Sequence, residues 1–271
     1  MKQLKLFVTA MALGALFFGC KAKEQTAETQ PPEKPKAEAP AAPKPETPAP
    51  ATPAAQPEAT ANAPAETPRK GLDRALLRPA SLKDTAPETY QVKFTTTRGE
   101  FTVTVHRAWA PNGADRFYNL VKHHFFDSAS FFRVHPGFIV QFGISAYPQV
   151  SAAWTNATIK DDPVKESNKM DFVTFATAGP NTRTTQLFIN LVDNSRLDKS
   201  GFAPFGKVTE GHNVVEMLYD SYGEIPEMGG SGPSPGKIEA EGKPYLDQNF
   251  PKLDSIKTTT LIGPAAEAAK P

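Results

Sequence analysis

The chain has 271 residues, and its 30 lysines and arginines against 29 aspartates and glutamates give a formal net charge of +1. With no basic stripe, nucleic-acid binding has no electrostatic support. The only cysteine is Cys20, so no intrachain disulfide can form, and the five histidines are scattered. His123 and His124 are neighbours that point apart on a helix, so no metal pair is expected.

Residues 1–19 read as a signal peptide. Lys2 and Lys5 precede an apolar run from Leu6 to Phe18, and Gly19 stands before Cys20. The run is shorter than the roughly 20 residues that span a bilayer. "LFFGC" resembles a bacterial lipobox, which makes Cys20 the expected lipidation site and the chain an exported, membrane-anchored protein. Lys21 stands where an inner-membrane retention signal would have aspartate, which favours the outer membrane, facing the periplasm. Residues 20–87 read as the anchor cysteine and a disordered tether. Between Lys21 and Gly71 the chain is rich in Pro, Ala, Glu, Lys and Thr, with no aromatic or branched aliphatic residue. Such a segment has nothing to bury, and its prolines bias it to extended polyproline II. "GLDRALLRPASLKD", 71–84, reads as a short amphipathic helix at its end.

The aromatics beyond residue 89 set the folded domain at 88–263, with a flexible tail over 264–271. "YQVKFTTTRGEFTVTVH", 90–106, alternates on both sides of Arg98-Gly99 and predicts a hairpin. In "APNGADRFYNLVKHH", 110–124, the period becomes helical and Pro111 suits the first turn. Short strands follow at about 130–135, 138–143, 172–177, 186–190 and 202–208. A second helix is expected over 211–220, and a last strand over 255–263. Many short strands with two helices predict a mainly β fold: a closed, eight-stranded antiparallel barrel capped by two α-helices. "MGGSGPSPGK", 228–237, lacks the Gly-Lys-Ser/Thr ending of a phosphate loop and reads as a surface loop.

"FFRVHPGFIVQFGI", 131–144, is apolar yet carries Arg133 and Gln141. An isolated buried charge is costly. Arg133 is therefore either a salt-bridged structural residue or a group facing a ligand groove. Read with "ATAGPNTRTTQLFI" and "FGKV" further along, the stretch resembles the cyclophilin family of peptidyl-prolyl isomerases. "APNGADRFYNLV" resembles the family's first helix, and "EAEGKPYLDQNFPKLDSI" the tail of bacterial members.

The resemblance implies a groove on the outside of the barrel, with Arg133, Phe138 and Gln141 as catalytic residues. It implies substrate contacts at Phe132, Ile139, Ala176, Thr177, Ala178, Gln186, Leu187, Phe188, Leu197 and Phe202. Phe138, Ile139, Phe188 and Leu197 would grip the proline ring. Phe132 and Phe202 stand at or near positions that are histidine in many members, and Arg196 replaces a tryptophan that helps bind cyclosporin, so weak cyclosporin inhibition is expected. The implied partners are proline-containing polypeptide segments and, through Cys20, a membrane. A monomer is expected, with no metal or cofactor.

The chemistry suits these residue types. Turning an X-Pro bond loses amide resonance, against a barrier of about 18–20 kcal/mol. In the twisted state the prolyl nitrogen becomes basic, and a fixed guanidinium stabilises that state specifically. Two other readings compete: a low-turnover binding module or chaperone on the same fold, and a structural envelope protein.

Overall fold

The computed structural model describes residues 71–263. The expected signal peptide, the Cys20 anchor, most of the tether and the tail at 264–271 lie outside the described residues.

Eight strands form one antiparallel sheet. They are β1 (Thr89–Thr96), β2 (Glu100–His106), β3 (Arg133–His135), β4 (Ile139–Phe142), β5 (Phe172–Phe175), β6 (Leu187–Asn190), β7 (Pro204–Glu210) and β8 (Ile256–Ile262). Their order is β3-β4-β6-β5-β7-β2-β1-β8. The sheet curls so that the residues before its two edge strands meet. Ser130 and Ser255 form an isolated bridge. Ser128 N–H donates to Ile256 O, Ile256 N–H to Ala129 O and Phe131 N–H to Asp254 O, at 2.8, 2.8 and 3.0 Å.

The concave face is packed with aromatics. Phe94 stacks on Phe101 at 4.6 Å between centroids and meets Phe142 edge-on at 5.8 Å. Phe117, from helix α1 (Pro111–Lys122), reaches Phe205 at 5.1 Å. The α1 residues Ala114, Phe117, Leu120 and Val121 are buried, as the helical period predicts. The N-cap, Ala110, has no side-chain acceptor, and Asp162 takes over that task. Its two carboxylate oxygens accept the Asn112 and Gly113 N–H groups, both at 2.9 Å.

Five α-helices occur among the described residues, all within the 88–263 domain, where two were expected. The others are α2 (Pro148–Trp154), α3 (His212–Glu216), α4 (Pro235–Glu241) and α5 (Lys243–Asn249). Each spans two turns or fewer, too short for a sustained apolar stripe. α3 occupies only the first half of the expected 211–220 helix.

The expected helix over 71–84 is instead two 3-10 turns, Arg74–Leu77 and Pro79–Ser81. Pro79 moves Arg78 out of the helical region, to φ −132° and ψ 68°. This segment, read from the sequence as the end of the tether, packs on the body. Leu76 and Ala86 are buried in the main core, and the Trp154 indole N–H donates to Leu76 O at 2.8 Å.

Candidate active site

Strand register places the polar outliers in a row. Arg133 pairs with Gln141 across β3 and β4, Gln141 with Phe188 across β4 and β6, and Phe188 with Thr174 across β6 and β5. Strand neighbours alternate faces, so Val134, Val140, Phe142, Leu187 and Ile189 enter the core. Arg133, Gln141 and Phe188 thus share the opposite, outer face.

Side chains extend the row. Arg133 Nη1 donates to Gln141 Oε1 at 3.0 Å, and Gln141 Nε2 donates to Gln186 Oε1 at 3.0 Å. Gln186 Nε2 points on to Glu239 Oε1 of α4, at 3.5 Å. The Arg133 guanidinium carbon lies 5.6 Å from the Phe138 ring centre, and that of Arg196 lies 5.0 Å from the same ring. Phe138 is half-buried at the turn between β3 and β4. Ile139 and Phe188 are largely covered, and Phe188 meets the half-buried Phe202 edge-on at 5.6 Å. Leu197 is half-buried on the 3-10 turn Ser195–Ser200.

Ala176 and Thr177 are half-exposed and Ala178 is exposed. β5 ends at Phe175, so these three belong to a loop rather than a strand. Ala176 N–H still bonds to Gln186 O at 2.9 Å, which keeps the loop beside the row.

Two residues expected to touch substrate turn their side chains into apolar clusters. Leu187 is wholly buried in the main core, on the opposite face from Phe188. Phe132 is 1% exposed and packs in a second apolar cluster with Ile144, Ile225, Ile238, Tyr245 and Leu246. It lies before β3 begins, where alternation does not govern its direction.

Sequence reasoning also missed residues that shape the site. Glu224 lies against Arg133: Nη2 donates to Oε2 at 2.7 Å. Nε stands 2.6 Å from Oε1 but off the N–H axis, so the Nη2 contact is the directed bond. Arg133 is therefore salt-bridged, and it shares the outer face with Gln141. Partial burial works against the Glu224 charge. The hydrogen bonds from Arg133 and Ile225, with the Arg133 charge, outweigh it and hold the carboxyl below its usual range. Glu239 moves the other way, since burial raises it despite the Gln186 contact.

Asn168, Asn190 and Asn194 form a buried amide network that reaches the Phe138 and Phe202 carbonyls. Asn168 Nδ2 donates to Asp198 Oδ1 and Phe202 O, both at 2.8 Å, and so fixes the segment that carries Leu197 and Phe202. No local sequence pattern marks Glu224 or these asparagines, because their partners are distant in the chain. Among the described residues, no group of three or more His, Cys, Asp or Glu is placed to hold a metal ion.

Comparison with known families matches residues 91–231 to the cyclophilin type peptidyl-prolyl cis-trans isomerase/CLD family. The chain belongs to that family. It is 32% identical over 133 residues to the peptidyl-prolyl cis-trans isomerase of Acinetobacter baylyi, a match covering 47% of this chain and 70% of that protein. It is likewise 32% identical over 133 residues to peptidyl-prolyl cis-trans isomerase A of Dickeya dadantii, with the same coverages. A crystal structure of a Cryptosporidium parvum cyclophilin type isomerase matches with a TM-score of 0.46 and 17% identity, covering 65% of this chain and 98% of that one. The cyclophilin match includes Arg133, Gln141, Phe188 and Glu224, and ends before α4 and α5.

Proposed function

We propose that this cyclophilin accelerates rotation of X-Pro bonds in folding or exported polypeptides, and that Arg133 performs the step. The observation that carries this reading is the row Arg133, Gln141, Phe188, with the guanidinium above the Phe138 ring. The apolar surfaces of Phe138, Ile139, Phe188 and Leu197 hold the proline ring. The loop Ala176–Ala178 offers backbone groups to the residue before proline. Arginine presents a rigid fork of donors and stays charged. Gln141 orients that fork, so a remaining N–H meets the prolyl nitrogen only when the bond is twisted and the lone pair is free. Each 1.36 kcal/mol taken from the barrier is a factor of about ten in rate. The sheet serves as a closed barrel in this reading, supported by the backbone bonds between residues 128–131 and 254–256. A rigid barrel holds the row in place during turnover.

The test is a prolyl isomerisation assay on the whole chain, wild type beside Arg133→Ala, with peptide affinity measured in parallel. Turnover should fall by about 10²-fold or more, by analogy with removing one transition-state donor, while affinity falls much less. Equal turnover in both proteins would sink the role of Arg133. No turnover in a folded wild type would point to a binding module.

The signal-like start and the lipobox-like LFFGC support an envelope location, with lipid on Cys20 as the anchor. Labelled fatty acid should enter the wild type in cells and fail to enter Cys20→Ser. Equal labelling would refute the anchor.

A further inference from the structure

We infer that Glu224 is a positioning residue for the isomerase reaction, holding the Arg133 guanidinium in the one orientation that serves the prolyl nitrogen. This rests on the isomerase reading above and adds a residue to it.

A guanidinium has five N–H donors in one plane. In this site Glu224 accepts from Nη2 and keeps its second oxygen in charge contact with Nε, and Gln141 accepts from Nη1. Two acceptors on different edges fix the plane against rotation, and donors at the Nη end remain for the substrate. An arginine side chain has much rotamer freedom to lose. Fixing it during folding means that freedom is not lost again at each turnover.

The carboxylate is itself built in rather than swung in. Its Oε1 accepts the Ile225 N–H at 2.7 Å. Ile225 is anchored in the apolar cluster with Phe132 and Ile238. The Glu224 carbonyl accepts the Gly232 N–H at 2.8 Å. Gly230 packs so closely that an added Cβ would overlap the Glu224 carbonyl. Phe132, beside the arginine, belongs to the cluster that seats Ile225.

The experiment compares the whole chain as wild type, Arg133→Ala, Glu224→Ala, Glu224→Gln and Gly230→Ala. It reads kcat, KM, peptide affinity, melting temperature and the Arg133 Nε–H signal by NMR. Glu224→Ala should lower kcat by about tenfold, the scale of one newly freed side chain, with peptide affinity within about twofold of wild type. Its Arg133 Nε–H signal should broaden. Glu224→Gln should recover most of the rate, since its amide oxygen still accepts from Nη2. Gly230→Ala, whose nearest neighbours are all atoms of Glu224, should reproduce the loss in kcat, and it tests the idea even if Glu224→Ala fails to fold. Unchanged or faster turnover in a folded Glu224→Ala, an unaltered Arg133 signal, or no recovery in Glu224→Gln would overturn the inference. An inactive wild type, or an active Arg133→Ala, would instead overturn the isomerase reading.

Discussion

Asn194 donates its side-chain N–H to the Phe138 carbonyl, 2.9 Å away and 56 residues distant in sequence. The same carbonyl accepts the Leu191 N–H at 2.9 Å, and Asn194 also donates to Asn190 Oδ1 at 2.9 Å. The turn that carries the Phe138 ring is therefore tied to the segment after β6. Removing this buried donor leaves Asn190 Oδ1 without it, at about 1–3 kcal/mol, while the Phe138 carbonyl keeps only the Leu191 N–H. Asn194→Ala should lower the melting temperature by roughly 5 °C and raise KM more than it lowers kcat, because the ring loosens while Arg133 is untouched. Calorimetry and steady-state kinetics check both. A lower kcat at constant KM would contradict this account of the pocket.

Gly143 ends β4 at φ +101°, and a Cβ there would run into the Thr185 carbonyl. The Thr185 hydroxyl also donates to Gly143 O at 2.8 Å. Gly143→Ala should cost more than about 2 kcal/mol, from backbone strain and the clash together. Turnover should fall as well, because the displaced residues adjoin Gln141 and Gln186. Melting curves beside an activity assay test the pair of effects, and a fully stable, fully active variant would rule them out.

His212 carries a pH prediction. Burial lowers its pKa, but the Asp171 hydrogen bond and the charges of Asp171 and Glu216 outweigh this and raise it above 6.5. A raised folded-state pKa means the stabilisation is complete below the unfolded value and lost as pH climbs through the folded one. The ring is about one-third exposed, so solvent screening keeps the effect small. From pH 6 to 9 the wild type should lose roughly 1–2 °C of melting temperature relative to His212→Gln, for an effect under about 1 kcal/mol. Parallel slopes for the two proteins would show that the ion pair contributes nothing.

Arg196 lies over Phe138 where the family resemblance places a tryptophan that helps bind cyclosporin. Cyclosporin should inhibit this protein only above micromolar concentrations, and Arg196→Trp should tighten inhibition by about tenfold, the scale of one buried aromatic contact. A titration of activity against the drug measures both. Submicromolar inhibition of the wild type would contradict the expectation.

What was legible in the sequence depended on repetition. The β1–β2 hairpin and α1 each show their period over several turns or pairs, and both appear within a residue or two of expectation. Arg133 and Gln141 stood out as polar residues in an apolar run, and the register confirms that they share a face. The Leu187 side chain enters the core, and alternation alone separates it from Phe188. The short α2, α4 and α5 carry too few residues for a period to emerge. Glu224 gave no local signal: it sits in a glycine- and proline-rich stretch, and its partner is 91 residues away. Long-range charge pairing and long-range amide networks are invisible until the chain is folded.

The row across β3, β4 and β6 also constrains which length changes this chain can absorb. The groove groups hang on alternate positions of a short hairpin whose turn is Pro136–Phe138. One inserted residue in that turn would exchange Gln141 for Val140 on the outer face and put an amide into the core. Insertions of two would preserve the facing. Length changes between Arg133 and Gln141 that keep both side chains outward should therefore come in even numbers, so parity rather than length is what the hairpin fixes there.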